Sequence, residues 1–215
     1  MFRIRIQNKK KCIWYCSAVV SFLLFLLLLG WTNHLANTQD AQQMAGRWSE
    51  KKDVAQISCF FSSKAEVTED TIQSFEYSLK NVLQEASITE TSENPSARLW
   101  VDAYSADGKI TLVNGKNTLD ANAIGIGGDF FMFHPLKLIT GAYFSGNDLM
   151  QDYCIIDQDA AWQLFGSNDV VGMTVYIGNV PHIVTGVVQR PDSRMDKAAG
   201  LNSTVVYVSY ETLSA

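Results

Sequence analysis

Ser21-Phe22-Leu23-Leu24-Phe25-Leu26-Leu27-Leu28-Leu29-Gly30-Trp31 is the centre of a run, Cys12 to Gln39, that contains no Asp, Glu, Lys or Arg. Ile13 to Trp31 would rise roughly 28 Å as an α-helix, about one hydrocarbon thickness. It holds six Leu, two Phe, Ile13, Val19 and Val20. At roughly −0.3 to −0.6 kcal/mol each, these side chains favour insertion by about 3 to 7 kcal/mol. No polar face interrupts the run, which separates it from the core helix of a water-soluble domain. The composition predicts a transmembrane helix over residues 13–31, in contact with membrane lipid.

Charge sets its direction. Arg3, Arg5, Lys9, Lys10 and Lys11 precede the span, and the first acid is Asp40. Basic residues stay on the cytoplasmic side, so residues 1–12 are expected to form a cytoplasmic tail and everything after Trp31 an exterior part. The expected location is the cell (cytoplasmic or inner) membrane, crossed once. A cleaved signal peptide would carry a shorter apolar region, and the best cleavage site, after Ala36, is spoiled by His34. The run therefore reads as a retained anchor. Cys12 and Cys16 lie at its cytoplasmic edge and read as ordinary membrane residues.

With five basic residues assigned to the tail, the rest of the chain holds twelve basic against 22 acidic residues, a net charge of −10. Nucleic acid needs clustered Lys and Arg, so it is excluded as a partner. The exterior length suits one ordinary domain or two small ones. Its two cysteines, Cys59 and Cys154, fall in predicted strands, and whether they pair is left open.

Residues 32–53 are polar and read as a helical extension of the span or a short stalk. From Val54 the periodicity changes. Ala55, Ile57, Cys59 and Phe61 alternate with Gln56, Ser58 and Phe60, which predicts a strand. Thr68 is placed to cap a helix, with Glu69 and Asp70 at its positive end. Ile72, Phe75, Leu79, Val82, Leu83 and Ala86 fall on one face, and Glu76 and Lys80 should pair on the exposed side. Leu99 to Tyr104 alternates again, giving a βαβ unit with a right-handed crossover. Asp107-Gly108 and Asn114-Gly115 read as two hairpin turns of a meander that runs to Ile126.

The remainder repeats this grammar. Asp129 should cap a helical turn through Phe130 and Phe131, ending before Pro135. A strand over Tyr153 to Ile156 leads to a helix, Gln158 to Phe165, capped by Asp157 and stopped by Gly166. Gly172 turns the chain into Thr174 to Ile177, and Gly178-Asn179 closes a hairpin with His182 to Val188. Gln189 to Ser203 reads as a polar loop and Thr204 to Val208 as a last strand. The expected class is α+β: one transmembrane helix, then a mixed α/β domain over residues 54–215.

Catalytic patterns do not emerge. His34, His134 and His182 sit in different elements without the paired spacing of a metal site. Gly125-Ile126-Gly127-Gly128 has no following Lys-Ser or Lys-Thr and reads as tight backbone rather than a phosphate loop. There is no G-x-S-x-G elbow, and neither exterior cysteine has the context of a nucleophile. Asp129 and Asp157 read as caps; Phe130, Phe131 and Phe133 read as core. No catalytic, cofactor-binding or metal-ligating residue is assigned, and no enzymatic activity is expected.

Two stretches carry a resemblance. The first is Gly128-Asp129-Phe130-Phe131-Met132-Phe133-His134-Pro135, continuing through Leu136 to Phe144. The second is Cys154-Ile155-Ile156-Asp157-Gln158-Asp159-Ala160-Ala161-Trp162-Gln163-Leu164-Phe165-Gly166, with Val171 to Val175 and Ile183 to Val188. An aromatic pair, an apolar run ending in Gly141, a helix ending Leu-Phe-Gly and a hairpin finishing in Gly-Val occur in order. Together they resemble the MacB-like periplasmic core domain of ABC transporter permeases. Thr185, Ala142 and Val170 depart from that pattern. Members of the family continue with a second exterior βαβ segment and three more spans, so the resemblance implies a domain incomplete at its C-terminus.

The resemblance implies a mechanical role. The chain would be a permease component whose exterior domain relays ATP-driven motion to a substrate or partner. Its expected partners are an ABC ATPase subunit and a second permease chain. The alternative is a single-pass anchored binding or sensing module without transport. An unpaired sheet edge left by the absent βαβ segment would make the exterior part aggregate or dimerise on its own.

Overall fold

A computed structural model of the chain describes residues 2–37, 43–48, 54–88, 98–190 and 203–214. The chain divides into two compact units, Met1–Gln56 and Ile57–Ala215.

The first unit is dominated by helix α1, Phe2–Asn37. Within it, Lys11–Leu35 is one helix of 25 residues, long and apolar enough to cross a membrane, with a mean hydropathy of 2.5 and none of its window buried. Apolar side chains project on every side, from Trp14 to Leu27 and Leu28, as suits lipid rather than a protein core. The helix runs past the expected end of the span to Asn37, where Thr32 Oγ1 still donates to the Leu29 carbonyl at 3.0 Å. A short helix α2, Met44–Trp48, follows. The rest of the expected stalk, 38–42 and 49–53, lies outside the described residues.

The second unit begins with a 3-10 turn, Ser63–Ala65, and helix α3, Glu69–Glu85. Strands β1, Ala103–Asn114, and β2, Asn117–Gly128, form a long antiparallel hairpin from Ala103 opposite Gly128 to Asn114 opposite Asn117. Helix α4 is Phe130–Phe133, strand β3 Leu138–Gly141 and strand β4 Tyr153–Asp157. Helix α5, Gln158–Phe165, precedes β5, Thr174–Ile177, and β6, Val180–Val188. Strand β7, Val205–Ser209, ends in a short helix α6, Tyr210–Ser214.

The sheet order is β3-β6-β4-β7-β2-β1-β5, and β5 also pairs with β6. The sheet thus curls until β5 bridges β1 and the first half of β6, while β3 takes the second half of the same edge. The fold is α+β, with β2–β7 and β4–β6 as its parallel pairs. Strand alternation then makes two cores. One face supplies Ala121, Ala123, Cys154, Ile156, Val206 and Val208, which α5 covers with Ala160, Ala161 and Leu164. The other supplies Ile126, Ile155 and Tyr207, covered by Phe130 and Phe144.

Several expectations need correction. Ala55 to Phe61 forms no strand: the segment is outside the sheet, with Ile57 85% and Phe60 92% exposed. Alternation fits a residue to a pleat but supplies no neighbouring ladder, and none is offered here. Strand β1 starts at Ala103 rather than Leu99. The parallel βαβ crossover therefore belongs not to the segment before β1 but to β4, α5 and β6. Asp107-Gly108 is not a turn; both residues pair inside β1, with Ile124 and Ala123. The glycine serves a different end, since a Cβ at Gly108 would lie 2.6 Å from Leu213 Cδ1. The bare strand lets α6 sit down on the hairpin. Asn114-Gly115 does turn, with Gly115 at φ +61°. Most of the predicted loop, 191–202, lies outside the described residues.

Candidate functional site

Among the described residues, Asp157 has the most highly connected buried polar side chain. It ends β4, where a cap for α5 is needed, and its Oδ1 accepts from the Ala160 amide at 2.8 Å. Oδ2 accepts from Arg190 Nη2 at 2.7 Å and Nε at 3.0 Å, and from the Val205 amide at 3.0 Å. Arg190 also reaches Asp159 at 2.7 Å and Thr204 Oγ1 at 3.1 Å. One carboxylate thus ties together the start of α5, the chain just after β6 and the start of β7. Sequence reasoning identified the cap but not Arg190, which carries no local signal of its partner.

His182 is buried, with Nδ1 3.1 Å from the Val180 carbonyl and Nε2 3.2 Å from Thr212 Oγ1. Thr212 Oγ1 is 2.8 Å from Ser209 Oγ, and both hydroxyls donate to the Gln151 carbonyl at 3.2 Å. This network fixes α6 against the sheet. His134 stacks on Phe130 at 4.5 Å, and His34 lies on α1. The three histidines thus serve three separate environments. Among the described residues, no group of three or more His, Cys, Asp or Glu is placed to hold a metal ion.

The glycines of 125–128 act through close approach. A Cβ at Gly125 would lie 2.9 Å from Leu213 Cβ, and one at Gly127 would strike the Tyr104 ring. Phe131 stacks on Tyr143 at 4.5 Å and meets Phe144 and Tyr207 edge-on, making an aromatic layer over the second core. Phe133 is half-buried. Asp129 stands at the head of α4 but makes no side-chain cap; Arg98 takes its carboxylate at 2.6 and 3.2 Å instead. An ion pair between groups 31 residues apart outcompetes the local amide. Cys59 is an exposed and Cys154 a buried free thiol, so they do not pair. Burial pushes the Cys154 thiol up to about 12, which removes it as a nucleophile near neutral pH.

Helix α3 is the exception to this close packing. Thr68 caps it as its sequence dictates, yet none of its 17 residues is buried. It is held by polar contacts: Tyr104 Oη donates to Glu69 Oε1 at 3.3 Å, and Tyr210 Oη to the Val67 carbonyl at 3.0 Å. Glu76 turns toward the sheet rather than to Lys80. Its carboxyl is pushed up to about 7, first by burial, then by the charge and hydrogen bond of Asp102, then by Glu69. Phe75 and Val82 face solvent on one flank of the helix and Tyr77 on the other, and Ile57, Phe60 and Phe61 are exposed on the chain that leads into it. The stretch from Ile57 to Ile88 is therefore the candidate interaction surface.

A family model described as "MacB-like periplasmic core domain" matches residues 20–215, a span that includes both stretches on which the resemblance rests. Among curated relatives, the macrolide export ATP-binding/permease protein MacB of Chromobacterium violaceum is 32% identical over 99 residues, covering 45% of this chain and 15% of that protein. The protein of the same name from Pasteurella multocida is 30% identical over 98 residues, covering 45% and 14%. The chain thus spans about a seventh of the length of these relatives. Among solved structures, the periplasmic region of MacB from Actinobacillus actinomycetemcomitans is similar at 26% identity, with 54% of this chain and 52% of that one covered and a TM-score of 0.42. The extracellular domain of the noncanonic ABC-type transporter YknZ from Gram-positive bacteria gives 24% identity, coverage of 52% and 55%, and a TM-score of 0.42.

Proposed function

The chain belongs to the MacB-like periplasmic core domain family, and from that premise we propose that it is a component of an ABC transporter permease whose exterior lobe relays ATP-driven motion to a substrate or partner. The observation that carries this reading is the family match across residues 20–215, which begins inside the apolar helix and runs through the lobe. The span and the lobe are thereby parts of one inherited unit.

In this reading residues 1–12 are a cytoplasmic tail, 13–31 the lipid-facing span, 32–53 a linker and 54–215 the exterior lobe. The lobe does no chemistry. Its two cores and the Asp157–Arg190 tie suit it to move as a body, because interiors packed on both faces of a sheet transmit displacement rather than absorb it. The motion would originate in an ABC ATPase subunit on the cytoplasmic side, acting on this chain and a second permease chain.

Purification of the tagged full chain from its own membranes in mild detergent tests the reading. An ABC ATPase subunit should co-purify and hydrolyse ATP in the complex. Recovery of the chain without any ATPase, even after cross-linking in intact cells, would overturn it.

A further inference from the structure

The chain enters the span through Arg3, Arg5 and the run Lys9-Lys10-Lys11, and leaves it through Trp31, Thr32, Asn33 and His34, with no further Lys or Arg until Arg47. Helix α1 starts at Phe2, so these five basic residues stand on the same rod as the span. At about 1.5 Å per residue, Lys11 lies roughly 3 Å and Lys9 roughly 6 Å beyond Ile13. The polar layer of a bilayer is about 5–8 Å deep on each side, so all three lysines fall within it. Arg5 and Arg3 lie roughly 12 and 15 Å beyond Ile13, past that layer but within about one Debye length of it. Lys11 is exposed. Trp14 and Tyr15, one turn further in, are 78% and 73% exposed and sit at the depth where aromatic rings anchor a helix.

We propose that Lys9, Lys10 and Lys11 form a collar that binds the anionic phospholipid headgroups around the helix at this end of the span, and that the other end has no such preference. Three consecutive positions on an α-helix spread over about 200° of its circumference. A single phosphate, or a protein docked on one side, meets only part of that arc; the lipids that ring the helix meet all of it. Each lipid of the ring then faces about one lysine, which favours an anionic headgroup about fivefold. The part of the chain after the anchor, at a net −10, offers anionic lipid no attraction. The contact uses only residues 9–15 and holds whatever adjoins the rest of the chain. It goes beyond the transport reading and does not need it; only its assignment to the cytoplasmic leaflet rests on the orientation given there.

The full chain is reconstituted into vesicles of phosphatidylcholine and phosphatidylglycerol, with bromine on the chains of one lipid or the other. Trp31→Phe leaves Trp14 as the one tryptophan of the span, and Trp14→Phe leaves Trp31. At low salt, quenching should show phosphatidylglycerol enriched about fivefold at Trp14 and not at Trp31. Raising salt from 0.1 to 1 M shortens the Debye length from about 10 to about 3 Å and should bring the enrichment below about twofold. Lys9→Gln, Lys10→Gln and Lys11→Gln together should do the same. Arg3 and Arg5 remain in that variant to direct insertion, and unchanged quenching of Trp31 shows that it has inserted. Equal quenching of Trp14 by the two lipids at low salt, an enrichment that survives high salt or the lysine changes, or the same enrichment at Trp31 would overturn the collar. The salt series needs no lysine change and decides the matter if the triple variant fails to insert. Loss of the collar leaves the transport reading standing, and a chain that recruits no ATPase can still carry the collar.

Discussion

Helices α5 and α3 start alike and end differently. Each has an oxygen-bearing cap, Asp157 or Thr68, and acid in its first turn. Eight residues of α5 bury Ala160, Ala161 and Leu164; seventeen residues of α3 bury none fully and leave Ile72, Leu79 and Leu83 half-buried. The difference lies in what surrounds them. Helix α5 lies over a core to which six strands contribute, and its cap is shared with Arg190 and the Val205 amide. Helix α3 meets the sheet through a few polar groups, Glu69, Glu76, Tyr104 and Tyr210 among them. An apolar stripe gives a helix the capacity for burial, and only a neighbour realises it.

Substitutions at the two helices should therefore separate sharply. Asp157→Ala removes the acceptor of two amides and one of the two carboxylates that Arg190 pairs with, and should cost about 3 kcal/mol. Pulse proteolysis of the full chain across a urea series would read this as an early midpoint. Leu164→Ala opens a cavity under α5 and should cost about 3 kcal/mol in the same assay. An effect below about 1 kcal/mol at either position would mean that the α5 region is not the stable half.

Glu76→Gln tests the polar seat of α3. The folded carboxyl is held up to about 7 against an ordinary 4.5, so the fold keeps a proton that the unfolded chain has lost. Stability should fall as pH rises between those values, and the loss should be complete above about 7. For this partly exposed group the loss is roughly 1 kcal/mol after screening. Glutamine, which cannot ionise, should flatten the dependence; an unchanged slope would show that Glu76 does not face Asp102. The smallest effect is expected from Phe75→Ala. It should shift stability by less than about 0.5 kcal/mol.

What was legible in the sequence was local. Thr68, Asp157, Gly166 and Gly172 act within a few residues of themselves, and each does what its type predicts. Asp107-Gly108 failed because Leu213, more than a hundred residues later, needs the space a side chain would fill. Asp129 and Glu76 failed for the same kind of reason: Arg98 and Asp102 are neighbours in space that no spacing rule announces. Alternation over Ala55 to Phe61 revealed a strand's pattern but not whether a ladder waits beside it. The family resemblance was readable because its motifs are turns, caps and a helix end, the features that local sequence fixes most firmly.

The most direct test of the whole account is which side of the membrane the lobe occupies. Leu149 is fully exposed, so Leu149→Cys in a chain with Cys12, Cys16 and Cys59 changed to Ser offers one accessible thiol on the lobe. In right-side-out membrane vesicles it should react with a membrane-impermeant maleimide without lysis. Labelling that appears only after the vesicles are broken would place the lobe in the cytosol and contradict the account.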